Sequence, residues 1–379
     1  MGMAEMRRDI EYLAGNLTHR GASTESERAA AEYIRDRFTV HTANTEIDDF
    51  FAIESPWLLF SSYYAEYLIV ALLAFWQPWF AFGYGAIVSI LYLLEFSGYR
   101  VLALILPQYE TQNVVARILG DRPKKLFVIT AHYDTPKFSA VTSPQFQPWL
   151  RTLHIIVLAC MFAVLASCAA EALGIVGMEG YRYDLVLRWC AVTALLCFAV
   201  ALFTCEYSGE FTRGASDNAS GVAVLLDLAQ RFTHDRIDGA DVWLVATGSK
   251  ETWLSGMRRF LNTHTIDKTN TYFLNIDQVG SGELRYITAE GLLQSLNADP
   301  ELLGIAAREA VRHQASALTW RGLPSDAFLA MARGFRALSI TAIDEKTYDD
   351  SDRAGGIDYS TVTAAASYAE GIIRSAEKI

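Results

Sequence analysis

The sequence is short of charge. Only 20% of its 379 residues are Asp, Glu, Lys or Arg, against 52% hydrophobic, and the mean hydropathy is positive, at +0.17. A wholly water-soluble chain carries about 25% charged residues, so part of this one is expected in lipid. Basic residues are the scarcer sign. With 32 Lys and Arg against 43 Asp and Glu the net charge is −11, which argues against the basic face that a nucleic-acid partner requires. Proline is scarce too, at 9 residues, while aromatics reach 12%, a composition that excludes disordered and collagen-like chains. Cys160, Cys168, Cys190, Cys197 and Cys205 all lie in or beside two long apolar runs. Their spacing suggests neither a disulfide framework nor a thiolate zinc site, so they read as small hydrophobes at lipid depth.

Continuous apolar sequence is what the chain has in excess. Four runs come as two hairpins: Trp57–Trp76 and Phe80–Phe96, broken by Gln77 and Pro78, then Leu153–Val176 and Leu185–Phe203 around a polar turn with Glu179, Arg182 and Asp184. At about 17–24 residues each run matches a bilayer core. Each hairpin crosses and returns, so every large polar segment is expected on one side. Arg100, Arg151 and Arg213 flank the runs there, and the turns between runs carry no net positive charge. This predicts a multi-pass integral membrane protein, embedded in the lipid bilayer, with its soluble mass in the cytoplasm. Residues 1–49 hold no apolar stretch of the secretory type, and no leader is expected. Glu66 and Glu95 fall inside the first hairpin, where a carboxylate is a functional candidate by default. Both are placed toward the polar-side ends of their spans, as interfacial anchors.

Setting aside hairpins 56–99 and 148–205 leaves residues 1–55, 100–147 and 206–379, expected to build one soluble domain interrupted twice. A helical pattern (Ile10, Leu13, Leu17) opens it, and Thr24-Glu25-Ser26-Glu27 forms a capping box leading into Ala29, Ala30, Tyr33, Ile34 and Phe38. Asn113–Arg117, Leu126–Thr130, Asp241–Thr247, Tyr272–Ile276 and Ala337–Ile343 read as strands. Gly221–Arg231, Pro300–His313 and Ser360–Glu377 read as helices. Alternating strands and helices predict an α/β fold with a mostly parallel mixed sheet flanked by helices.

In such sheets ligands bind at the carboxyl ends of strands, and four polar clusters fall there: His132-Tyr133-Asp134, Ser216–Gly221, Ser249-Lys250-Glu251 and Asn275–Gly280. Singly, a histidine after a strand is more often structural, and Asp-Asn before a helix is more often a cap. Their joint occurrence at strand ends, one imidazole with several carboxylates, points to a hard metal site of the kind zinc accepts. Asp134, two residues after His132, is placed to orient or tune the imidazole. Ser216-Asp217-Asn218 lacks the Lys-Thr-Gly that would make it a serine β-lactamase box, and the chain has no phosphate-binding glycine loop.

Asn113-Val114-Val115-Ala116, His132-Tyr133-Asp134, Asp217-Asn218-Ala219-Ser220-Gly221 and Asn275-Ile276-Asp277-Gln278-Val279-Gly280 occur in an order that resembles the di-zinc aminopeptidase family. Its relatives include glutamate carboxypeptidases, glutaminyl cyclases and the transferrin-receptor and nicastrin ectodomains. The resemblance covers the soluble chain and implies a zinc-exopeptidase-like fold. It implies His132 and Asp277 on one zinc, Asp217 bridging two, and Glu251 on the second. Two positions depart from the pattern. Lys250 stands where the family has its general-base Glu, and the late ligand histidine falls on Tyr348, with Asp349 beside it as a possible replacement. Both changes weaken the same metal position, so one tightly bound zinc is expected, with the second weak or absent. The resemblance implies a metal-dependent peptidase or amidohydrolase, with a peptide or amphipathic acyl-peptide as substrate. Lys250 leaves two alternatives open: a non-hydrolytic enzyme (cyclisation or acyl transfer) and an inactive scaffold.

Overall fold

The computed structural model describes residues 2–138, 146–175, 178–343 and 352–378. Helix α1 (Met3–Glu11) buries Met6 and Ile10, and α2 (Glu25–Thr39) buries Ala30, Ala31, Ile34 and Phe38. Helix α2 begins where the capping pattern predicts, with Thr24 accepting the Glu27 N–H at 3.2 Å. Strand β1 (Thr45–Ala52) runs straight into the first apolar hairpin, α3 (Pro56–Ala74) and α4 (Pro78–Phe96). Both helices start on proline, whose fixed φ and missing N–H cost nothing at that position. Strands β2 (Tyr109–Ile118), β3 (Lys125–His132) and β4 (Lys137–Phe138) precede the second hairpin, α5 (Leu150–Ala172) and α6 (Met178–Ser208). Strand β5 (Glu210–Phe211) pairs antiparallel with β4, so this hairpin leaves and rejoins the chain through a two-stranded neck. There follow α7 (Ser220–His234), β6 (Ala240–Thr247), α8 (Ser255–Thr263), β7 (Thr271–Ile276), β8 (Glu283–Glu290), β9 (Leu296–Asn297), α9 (Pro300–His313), β10 (Ser316–Trp320), α10 (Asp326–Ala332), β11 (Arg336–Ile343) and α11 (Tyr359–Glu377).

Strands from before, between and after the hairpins enter one nine-stranded sheet, in the order β1-β2-β6-β3-β7-β11-β8-β10 with β9 beside β8. The centre, β6-β3-β7-β11, is parallel, and β1 and β2 are antiparallel to their neighbours. This is the α/β arrangement that the alternation of elements predicted. Strand β3 is buried on both faces, which its unbroken apolar run foretold. Phe127 and Ile129 join the core shared with α1, α2, α7, α9 and α11, while Val128 joins that of α8 and α10.

Arg20 ties the polar segments together. Its guanidinium, fully buried, donates to the carbonyls of Tyr133 (2.6 Å), Leu13 (2.7 Å), Arg213 (2.8 Å) and Gly214 (2.8 Å). Burial lowers its pKa to about 10, against the opposing pull of Asp352, Asp134 and Asp217, so it stays charged at neutral pH. Arg20→Met should leave these carbonyls without their donor and cost about 3 kcal/mol or more. Thermal unfolding of the detergent-solubilised protein, compared with an Arg7→Met control on the exposed face of α1, checks this.

Helices α3, α4, α5 and α6 are long and apolar enough to cross a membrane. Helices α3 and α5 each pack against both α4 and α6, around Tyr67, Val70, Tyr92, Val164, Val192 and Leu195. Their outer faces show Ile87, Ile90, Ile155, Phe162 and Val200, an apolar exterior suited to lipid rather than water. The five cysteines are free, all on α5 and α6.

Two expectations need correction here. Glu66 lies in the middle of α3, not toward its polar end, because the Tyr84 hydroxyl of α4 donates to it at 2.5 Å at that depth. Arg182 and Asp184 are not in a turn but in the first turns of α6. Asp184 is drawn into the helix by Arg188 (3.2 Å), which also binds Glu171 (2.5 Å) and Ser167 (2.8 Å) in a buried network across the hairpin. Glu95 does sit at the polar end, accepting from Tyr63 Oη (3.2 Å) and the N–H groups of Val101 (3.0 Å) and Leu102 (2.9 Å).

Candidate metal centre

Strand β3 lies between β6 and β7, and the three parallel strands end level with one another. His132 is the last residue of β3, and Asp277 follows β7 directly. Lys250 and Glu251 lie in the loop after β6, and Asp217 lies in the turn that opens α7. The sheet therefore gathers His132, Asp134, Asp217, Lys250, Glu251 and Asp277 at one rim. His132 Nε2 is 3.1 Å from Asp217 Oδ1 and 3.3 Å from Asp277 Oδ1. Ligand atoms of His132, Asp217 and Glu251 all lie within 4.8 Å of one another. Tyr348 and Asp349 lie outside the described residues.

The surrounding hydrogen bonds fix these groups. His132 Nδ1 meets the Asp134 carbonyl at 3.1 Å, closer than the Asp134 carboxylate at 3.5 Å. The main chain thus orients the imidazole, whereas the Asp134 carboxylate mainly accepts the Glu251 N–H at 2.8 Å. The Asp352 carboxylate accepts the N–H groups of Ser216 (2.6 Å) and Asp217 (3.0 Å), and Gln278 Nε2 donates to Asp217 Oδ2 at 3.0 Å. Asn218 joins the turn to β7 by donating to the Ile276 carbonyl at 2.9 Å. Ser249, Trp253, Leu254 and Gln278 all have positive φ, between 50° and 67°, a conformation that costs non-glycine residues about 1–3 kcal/mol each and collects at functional sites.

Four carboxylates face one imidazole and one ammonium here. Burial alone would discharge His132, and Lys250 adds to that effect, but Asp277, Asp134 and Asp217 prevail and hold its pKa well above the ordinary value. Burial likewise opposes charge on Lys250, yet Glu251, Asp277 and Asp217 keep it cationic, with Nζ 2.7 Å from Glu251 Oε1. Asp277 is pulled down to about 2, as Lys250 and His132 outweigh its burial. The cluster has room for more positive charge, since Asp134 Oδ1 is buried without a hydrogen-bond partner and Asp217 Oδ1 has only the His132 imidazole beside it, at 3.1 Å. Tetrahedral zinc with bonds of about 2.0–2.1 Å places its ligand atoms about 3.3 Å apart. His132 Nε2 already lies at about that distance from Asp217 Oδ1 (3.1 Å) and from Asp277 Oδ1 (3.3 Å), and ligand atoms of His132, Asp217 and Glu251 gather within 4.8 Å, so the donors present suit the metal.

Residues 200–372 match the model of Peptidase family M28. The M28 match includes Asp217, Lys250, Glu251 and Asp277, and the resemblance read from the motifs stands. The chain is also 30% identical over 155 residues to a vacuolar membrane protease of Coprinopsis cinerea, an alignment covering 41% of this chain and 14% of that much longer protein. Among solved structures, BSAP, a zinc aminopeptidase from Bacillus subtilis, aligns with a TM-score of 0.58 at 13% identity, covering 99% of this chain and 95% of that one. An Acidobacteriales bacterium glutaminyl cyclase aligns with a TM-score of 0.57 at 14% identity, covering 99% and 94%. At such identities these structures attest the fold alone.

Three buried carboxylates beside this cluster were not singled out from the sequence. Glu27, read there as part of a capping box, also reaches the site: its Oε1 accepts the N–H of Ser249 at 2.8 Å, holding the residue before Lys250. Asp326 follows Ser325, whose hydroxyl caps α10. Its Oδ2 accepts from Thr247 Oγ1 at 2.6 Å, while Oδ1 is buried without a partner. Burial raises its pKa to about 6, offset by Thr247, His132 and Lys250.

Glu290, at the end of β8, accepts from the Ser325 hydroxyl at 2.9 Å and leaves Oε2 buried and unpartnered. Burial raises its pKa from 4.5 to about 7. The unfolded chain therefore releases this proton first, and the stability carried by the neutral carboxyl is lost as pH rises through about 7. Glu290→Gln, which cannot ionise, should gain stability relative to the unmodified protein across that window, by up to roughly 3 kcal/mol. Unfolding midpoints of both proteins measured against pH test this, and parallel curves would refute it.

Proposed function

We propose that the protein is a membrane-embedded, metal-dependent peptidase or amidohydrolase of the aminopeptidase type, working with one tightly held zinc. The observation that carries this reading is the convergence of His132, Asp217 and Asp277 at separations of 3.1 and 3.3 Å, with Lys250 bound to Glu251 beside them. Exchanging the family's general-base Glu for Lys250 adds two positive charges, the charge of one divalent cation, so losing one metal leaves the balance of the cluster unchanged. His132, Asp217 and Asp277 would hold the zinc, and Glu251 remains Lys250's partner. When bound, zinc supplies a Lewis acid and lowers the pKa of a coordinated water. Asp134 and Asp352 keep the Glu251 and Asp217 main chains in place.

The substrate is proposed to be a peptide or amphipathic acyl-peptide presented from the bilayer, with the soluble part of the protein in the cytoplasm. The position of the site next to the hairpins supports this route: Thr135, Glu251 and Thr252 on the site side line one narrow cleft with Pro56, Trp57 and Glu206 at the bases of α3 and α6. Reporter fusions after Val40 and after Ile379 should give the same cytoplasmic signal, and opposite signals would contradict the topology. Lys250 in place of a carboxylate base favours a second reading, in which the same metal and pocket carry out cyclisation or acyl transfer. Turnover of hydrophobic peptide amides in ¹⁸O-labelled water separates the two: hydrolysis places label in the new carboxylate, and transfer does not. Absence of bound metal would leave only the scaffold reading.

A further inference from the structure

Where the first hairpin joins the polar domain, the surface carries more positive charge than its neighbours neutralise. A groove of about 460 Å³ opens there, its wall including Asp49, Arg100, Glu110, Arg258, Arg259 and Asn262. Two of these charges are already matched, as Arg259 pairs with Asp48 at 2.8 Å and Asp49 pairs with Arg28. Arg258 is not. It is 4% exposed, and its guanidinium donates to the carbonyls of Gly98 and Trp253, both at 3.0 Å. Arg100 donates to the carbonyls of Phe51 and Ala103, each at 3.4 Å, and to Gln108 Oε1. Among the described residues, neither arginine has a carboxylate within 4.0 Å.

A third guanidinium, Arg333, reaches Asn262 on the groove wall at 3.5 Å and lies over the Tyr99 ring. The repulsion among the three is felt at Arg258, whose pKa burial lowers to about 10, helped by Arg100 and Arg333 and opposed by Glu95. Glu95, whose Oε2 accepts from the main chain of Val101 and Leu102, offsets one of the three charges, and Glu110, at the exposed end of β2, offsets a second, which leaves one in excess. Around the groove the surface is apolar: Phe51 is 62% exposed, Leu104 63% and Ile105 78%. On α4, the second helix of this hairpin, Ile90 and Leu93 are also exposed.

We propose that this groove binds the phosphate of an anionic phospholipid, with Arg100 and Arg258 supplying the charge and the acyl chains lying along α4. A soluble phosphate would use the arginines but leave the apolar rim uncovered, and a zwitterionic lipid would cover the rim but leave the charge excess. Occupancy would bear on the metal centre through a short path. Arg258 holds the Trp253 carbonyl, Trp253 Nε1 donates to the Glu95 carbonyl at 3.0 Å, and Trp253 lies two residues after Glu251. The inference rests on the membrane reading above but not on peptidase chemistry.

The test uses the full chain in phosphatidylcholine nanodiscs with and without phosphatidylglycerol, and in detergent titrated with either lipid or with inorganic phosphate, followed by thermal unfolding. Phosphatidylglycerol should raise the midpoint where phosphatidylcholine and inorganic phosphate at equal concentration do not. Arg100→Gln and Arg333→Gln should each weaken the apparent affinity for phosphatidylglycerol roughly fivefold, and Arg312→Gln, on the exposed face of α9, should not. Equal stabilisation by both lipids, or by phosphate and phosphatidylglycerol, would overturn the inference, as would equal effects of the three variants. A protein that stays out of the discs would overturn the membrane reading and this inference together.

Discussion

His132→Ala should strip the purified protein of most of its bound zinc and lower amide turnover by at least about a hundredfold. The imidazole is the one nitrogen donor in the cluster, and Asp217 Oδ1 and Asp277 Oδ1 lie 3.1 and 3.3 Å from its Nε2. Without it the carboxylates keep only Lys250 as a counter-charge. The alanine leaves β3 intact, because the strand is held by main-chain pairing to β6 and β7 on both sides, so circular dichroism should be unchanged. A variant that keeps full metal occupancy would show that the ligand set lies elsewhere.

Lys250→Ala should act in the opposite direction on metal. Removing the ammonium leaves Glu251, Asp217 and Asp277 facing one another without their main shared cation, and breaking a buried pair in this way costs about 3–5 kcal/mol in the metal-free protein. Zinc should restore that loss, with content rising above one per chain, and Lys250→Glu should raise it further by returning a carboxylate to the position. Turnover of hydrophobic peptide amides, measured on the same preparations, decides what else Lys250 does. Undiminished activity in Lys250→Ala would exclude it from the chemistry. A loss of stability that zinc cannot repair would exclude the idea that its charge stands in for a metal.

The parts of the fold that were legible in the sequence are those where one physical signal dominates. Phe127-Val128-Ile129 read as a strand buried on both faces, and Thr24 as the cap of the helix that follows. Strand β1 was not legible, because Glu46, Asp48 and Asp49 make it look like a polar loop. Its order comes from antiparallel pairing with β2 across all eight residues. Strand β10 is half-exposed and depends in the same way on β8. Helix α8 begins after two left-handed residues, Trp253 and Leu254, a geometry no propensity foretells. Gly256 fits at its start because a side chain there would meet the Gly248 carbonyl at 2.2 Å. At the rim, the gathering of His132, Asp217, Glu251 and Asp277 was legible because they sit at strand ends and at a helix start. Glu27 and Asp326 were not, since each lies in a helix-capping pattern that accounts for it locally, and only the tertiary fold turns them toward the cluster.

Lys250 is proposed to occupy the charge of a second metal. The most direct measurement is the zinc content of the full-length, unmodified protein, purified without chelator and equilibrated with excess zinc before exhaustive dialysis. One zinc per chain, retained through dialysis, is the result expected of this proposal. Two zincs at full occupancy, or none, would contradict it.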